Sequence, residues 1–196
     1  MQKDIPNLLT FLRILIVPIL VASFYLDGKM YHWVAAGLFA VASVTDFFDG
    51  YLARMWKAQT SLGRFLDPIA DKLLVACALL MLAYFGGFGE YDIIAAVIIL
   101  AREILVSGLR EFLGGANVSV PVSQLAKVKT AIQMGAICLL LLGVEGPSFS
   151  EVEVYTEQSL TVFLGRIGLW IAAILTSITG YAYMKAGVKH IRDGQV

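Results

Sequence analysis

Six stretches of the chain are apolar over about the 20 residues that an α-helix needs to cross the hydrocarbon of a bilayer. They run roughly from 8 to 26, 31 to 53, 67 to 86, 91 to 112, 125 to 143 and 160 to 186. This pattern predicts an all-α integral membrane protein with six transmembrane helices, in a single domain over residues 1–196. Pro6 and Asn7 mark the entry to the first span, with Asn7 the expected N-cap and Pro18 an expected kink inside it. No signal peptide is expected, because the first apolar span is long and no small-residue cleavage site follows it. Arg13 is about 7 to 8 Å in from Leu8, close enough to the interface to snorkel and equally able to turn inward. Pro68 has two possible places. If Asp67 caps the third span, Pro68 takes the favoured first position; if that helix begins near Thr60 or Ser61, Pro68 lies inside and kinks it.

The polar segments between spans sort by charge. Lys3, then Arg54, Lys57 and Arg64, then Arg110, Lys127 and Lys129, then Lys185, Lys189 and Arg192 alternate with Asp27, with Glu90 and Asp92, and with Glu145, Glu151, Glu153 and Glu157. Only Lys29 and Arg166 fall toward the acidic side. The excess of Lys and Arg on one side predicts a multi-pass membrane protein with both termini cytoplasmic. Composition agrees: 59% of residues are hydrophobic and 15% charged, against about 25% charged in an average soluble protein. Cys77 and Cys138 both lie in apolar runs, so they read as small buried hydrophobes rather than a disulfide framework.

Against this background four carboxylates stand out. Asp46, Asp49, Asp67 and Asp71 fall at the junction of the second and third spans. One Asp at a helix centre in lipid costs on the order of 2.5 to 3.5 kcal/mol, so four together call for a charge partner. In helices, Asp46 and Asp49 share one face at i, i+3, and Asp67 and Asp71 share another at i, i+4. Two such faces make an all-oxygen site suited to Mg²⁺ or Mn²⁺ and not to zinc. The competing reading is a set of helix-end aspartates in water. By charge sorting the junction opens toward the cytoplasm, which makes it a cytoplasm-facing intramembrane active site.

The spacing is more specific than the acids alone. Asp46, Asp49-Gly50, Ala53-Arg54, Gly63, Asp67 and Asp71 resemble the full signature of the CDP-alcohol phosphatidyltransferase family of integral membrane enzymes, without departure at any fixed position. The resemblance implies transfer of a phosphatidyl group from a CDP-linked lipid to an alcohol, release of CMP, and a need for divalent metal. It implies two Mg²⁺ or Mn²⁺ ions held by Asp46, Asp49, Asp67 and Asp71, with Asp71 also the candidate general base. It assigns nucleotide binding to Asp46, Asp49, Gly50, Ala53, Arg54, Thr60 and Gly63, and it implies a homodimer. Small residues at Gly50, Ala53 and Gly63 serve tight helix packing equally well.

Two cationic segments bear on the acceptor. AREILVSGLREF brings Arg102, Glu103, Arg110 and Glu111 to the end of the fourth span, and QLAKVKTAIQM opens the fifth with Lys127 and Lys129. Arg102, Arg110, Lys127 and Lys129 are candidates for a phosphate pocket; the alternative is an anchor on anionic lipid headgroups. With IPNLLTFLRI near the start, these segments resemble the bacterial branch whose members make phosphatidylglycerophosphate. The implied partners are CDP-diacylglycerol, glycerol 3-phosphate and membrane lipids, with no nucleic acid. The rival readings are a sister transferase using inositol phosphate, serine or phosphatidylglycerol, and a divalent-cation transporter, since intramembrane carboxylates also mark ion pathways. The segment from 146 to 159 reads as a solvated acidic loop.

Overall fold

The computed structural model describes residues 5–26, 30–56, 61–115, 124–143 and 160–192, without the side chains of 5–9, 47–56, 61, 62, 64, 189 and 191. Its regular structure, among the described residues, is six α-helices. They are α1 (Ile5–Ser23), α2 (Tyr31–Trp56), α3 (Ser61–Tyr84), α4 (Asp92–Gly115), α5 (Gln124–Gly143) and α6 (Leu160–Arg192). Each coincides with one of the six apolar stretches. Two of them, α5 and α6 over Leu160–Val188, are long and apolar enough by composition to cross a membrane.

Three boundaries differ from the expectation or decide it. Asn7 is not an N-cap: α1 already begins at Ile5, which puts Pro6 in the first turn, where its missing N–H has no intrahelical partner to lose. α3 begins at Ser61, so Pro68 is inside the helix and removes the N–H that would donate to the carbonyl of Arg64. The far end of α3 closes on Gly86, whose φ of 76° is left-handed. There Gly87 N donates to the Leu82 carbonyl at 2.8 Å, a 6→1 bond that satisfies an orphan carbonyl of the last turn.

The chain divides into two compact units, Met1–Phe88 with Ile137–Gly165, and Gly89–Ala136 with Arg166–Val196. In the first, α1 lies against both α2 and α3, which touch each other far less. Leu20, Phe39, Leu74, Leu79 and Leu82 are fully buried there. At one end Phe24 stacks near Phe85 with ring centroids 5.2 Å apart. In the second unit, α4 and α6 run in parallel at constant register: Asp92 meets Trp170, 78 residues on, and Arg102 meets Thr179, 77 residues on.

Small side chains are numerous in the interior of both units. Ala35, Ala36, Ala42, Ala70 and Ala78 in the first unit, and Ala95, Ala96, Ala136, Ala172 and Ala173 in the second, are buried. Beside them the interior holds large residues such as Leu20, Phe39, Leu74, Ile99 and Leu169, and many other large apolar side chains face outward, among them Leu15, Ile19, Leu80, Ile104, Ile174 and Ile178. A water-soluble bundle keeps such side chains inside. Close approach through small residues with a bulky apolar exterior is the arrangement that a lipid solvent favours.

Candidate active site

The acidic stretch lies in the first unit. Asp46 is two-thirds of the way along α2; Asp67 and Asp71 sit one turn apart in the first half of α3. The helix extends through both aspartates of α3 because Ser61, rather than Asp67, begins it, and so the i, i+4 pair does share a face. Gly63, one turn before Asp67, is buried. Asp49, Gly50, Ala53 and Arg54 are helical, but their side chains lie outside the described residues, as does all of Thr60.

What brings the two helices' carboxylates together is α1. Thr10 and Arg13, one turn apart on α1, are 2% and 1% exposed, so both point inward. The Thr10 hydroxyl donates to Asp67 Oδ1, and Arg13 Nη1 stands 2.5 Å from Asp46 Oδ1. One face of one helix thus addresses a carboxylate on each of its two neighbours. Arg13 turns inward rather than snorkelling, which follows from the partner it finds: a fully buried guanidinium is tolerable only beside an anion. Asp67 and Lys72 are further charged neighbours of Asp46. Lys72 Nζ is also 3.9 Å from Asp71 Oδ2, too far for a hydrogen bond.

Neither carboxylate is enclosed by these contacts. The Asp46 side chain is 40% exposed and that of Asp71 32%. Among the described residues no three acidic, histidine or cysteine side chains close on one point. The donor set nevertheless suits a hard cation: oxygen only, from two helices, with Asp46 and Asp67 each held through one oxygen by α1. Thr10 and Arg13 are the residues that sequence reasoning did not assign to this site. The available signal was a hydroxyl and a guanidinium at i, i+3 in an otherwise apolar helix.

The cations proposed for the acceptor lie in the second unit, and the structure divides them. Lys129 is buried and paired with Glu103. Arg102 Nη2 donates to Thr179 Oγ1 at 3.1 Å, while its Nη1 is 3.4 Å from Glu103 Oε1. Arg110 and Lys127 are exposed. Lys127 and Lys129 cannot share a face, since two helical positions apart is about 200° of rotation. At the other end of α4, Asp92 is 2% exposed and accepts from Gly89 N, Arg166 Nε and Trp170 Nε1 at 2.5 to 2.9 Å. Arg166, one of two bases on the acidic side, is there as the partner of a buried acid.

Comparison with known proteins gives a consistent result. A family model described as CDP-alcohol phosphatidyltransferase matches residues 3–178. The CDP-diacylglycerol–glycerol-3-phosphate 3-phosphatidyltransferase of Rickettsia felis is 48% identical over 189 residues, 96% of this chain and 98% of its own. Proteins of the same name from Cereibacter sphaeroides and Pectobacterium atrosepticum are 38% and 39% identical, over 98% and 95% of this chain and 99% and 96% of theirs.

Proposed function

The chain belongs to the CDP-alcohol phosphatidyltransferase family, and from that premise we propose that it transfers the phosphatidyl group of CDP-diacylglycerol to glycerol 3-phosphate, giving phosphatidylglycerophosphate and CMP. The observation that carries the chemistry is the pairing of Asp46 on α2 with Asp67 on α3, both held by α1 within the family's signature stretch. Relatives named for this reaction align over nearly the whole chain, acceptor segments included. That favours glycerol 3-phosphate over inositol phosphate or serine.

In the reaction, a hydroxyl oxygen of glycerol 3-phosphate forms a bond to the phosphorus that carries diacylglycerol. The bond from that phosphorus to the CMP oxygen breaks, and the hydroxyl proton goes to a base. Asp71, partly exposed and one turn from Asp67, is the residue assigned to take it. Asp46, Asp49, Asp67 and Asp71 are the residues that would hold two Mg²⁺ or Mn²⁺ ions, whose contribution is to offset pyrophosphate charge and stabilise the departing oxygen. Gly50, Ala53, Arg54, Thr60 and Gly63 are assigned to the nucleotide. Arg110 and Lys127, exposed and cationic, are assigned to the acceptor's phosphate. The proposal includes six transmembrane spans in the bacterial inner membrane, cytoplasmic termini and active site, and a homodimer.

The direct test is to incubate the purified protein with CDP-diacylglycerol, Mg²⁺ and, separately, glycerol 3-phosphate, inositol phosphate, serine and phosphatidylglycerol. CMP should be released with glycerol 3-phosphate and not with the others, and chelation should stop it. Consumption of a different alcohol overturns the acceptor; turnover that survives chelation overturns the metal.

A further inference from the structure

The second unit contains a buried polar cluster that the transfer chemistry does not require. Glu103 on α4 receives the Lys129 ammonium from α5. The same Glu103 oxygen has the Arg102 guanidinium 3.4 Å away, and Arg102 donates in turn to Thr179 on α6. All are largely shielded: the side chains of Lys129, Arg102 and Glu103 are 3%, 13% and 16% exposed. The Arg102 stem lies across Gly180, where a Cβ would come within 2.7 Å of its Cγ. One carboxylate therefore connects three helices, and α6 is shaped to admit the guanidinium it uses.

A buried ammonium in contact with a carboxylate is poorly placed to recognise phosphate. A phosphate reaching it would meet the Glu103 charge, and pulling the ammonium away would leave that charge buried without its counter-ion, which is strongly unfavourable. Arg110 differs. It is exposed, and seven residues beyond Glu103 it stands on nearly the same face of α4, two turns further along.

We propose that Glu103 is a positioning residue, and that Lys129 is its counter-ion rather than a ligand of the acceptor. By engaging Lys129 and Arg102, Glu103 fixes α4 against α5 and α6 and so sets the direction in which Arg110 presents its guanidinium. This rests on the assignment of Arg110 to the acceptor, and the experiment separates the two.

The test uses the full chain in detergent and reads melting temperature together with KM for each substrate. Glu103→Gln leaves the Lys129 charge buried without an anion; it should lower the melting temperature and raise KM for glycerol 3-phosphate, with KM for CDP-diacylglycerol unchanged. Adding Lys129→Met removes the ammonium left without its anion, at similar volume, while Arg102 keeps its bond to Thr179. The double variant should recover part of the lost melting temperature and, because the anchoring carboxylate is still missing, keep KM for glycerol 3-phosphate within about threefold of Glu103→Gln, near the scatter of independent effects. Should Glu103→Gln fail to fold, Lys129→Met alone gives the second reading, since Glu103 keeps Arg102 as its cation: KM for glycerol 3-phosphate should stay within about threefold of the parent. A rise of about tenfold or more on adding Lys129→Met, in either background, the size of a lost charge-assisted bond, would show that Lys129 touches the acceptor and overturn the proposal. A Glu103→Gln protein that melts like the parent overturns it too. Arg110→Ala with unchanged KM instead marks failure of the acceptor assignment, while the melting temperatures still judge the pair.

Discussion

Asp92 and Asp46 are both helical aspartates beside an arginine, yet their surroundings differ. Asp92 is 2% exposed and accepts three bonds, from a backbone N–H, a guanidinium and an indole. Asp46, among the described residues, meets the Arg13 guanidinium through one oxygen and keeps a side chain 40% exposed. Asp67, near it, is likewise held through one oxygen and is exposed. A carboxylate with its lone pairs engaged by the protein is a strut; it has nothing left for a ligand. Carboxylates gathered from two helices, steadied by α1 and still exposed, are arranged to receive one.

The same chemical change made in both places should therefore have opposite outcomes. Asp71→Asn, in the exposed group, should lower turnover by about 10²- to 10⁴-fold, the usual contribution of a positioned base, with little effect on melting temperature. Full activity in this variant would remove Asp71 from the role. Asp92→Asn keeps shape but loses the charge facing Arg166, and should cost about 1 to 3 kcal/mol of stability while KM values remain as they were. If it melts like the parent protein, the contacts around Asp92 are not holding α4 to α6. Arg13→Gln should give the smallest change of the three. It removes a positive charge beside Asp46, so the Mg²⁺ concentration for half-maximal turnover should fall by about two- to fivefold, as expected for a partly screened Coulomb term. A rise instead would mean that Arg13 acts chiefly by fixing Asp46 in place.

Helix number and position were legible because each helix is a long apolar run, which needs no tertiary information. The signature aspartates were legible because lipid makes every uncompensated charge conspicuous. What pairs with what was not. Arg166 looked like an exception to the charge sorting until Asp92, 74 residues earlier, proved to be its partner. Arg13 could have gone either way, and only the approach of α2 decides it. The start of α3 was left open for a related reason: Asp67 before Pro68 can cap a helix as readily as lie within one, and Ser61 proved to begin it. In one respect the sequence held more than was drawn from it. Lys127 and Lys129, two positions apart, could never have pointed the same way from one helix.

The alanine-lined interior carries a consequence for how this protein tolerates change. Where buried positions are already near the smallest side chain, truncation has little left to remove; enlargement is the damaging direction, because an added methyl group must push two backbones apart. The outward Leu and Ile side chains, by contrast, meet a fluid that rearranges around whatever is presented, so trimming them disturbs little inside. Random mutation should thus spare the outward Leu and Ile residues and strike the buried alanines.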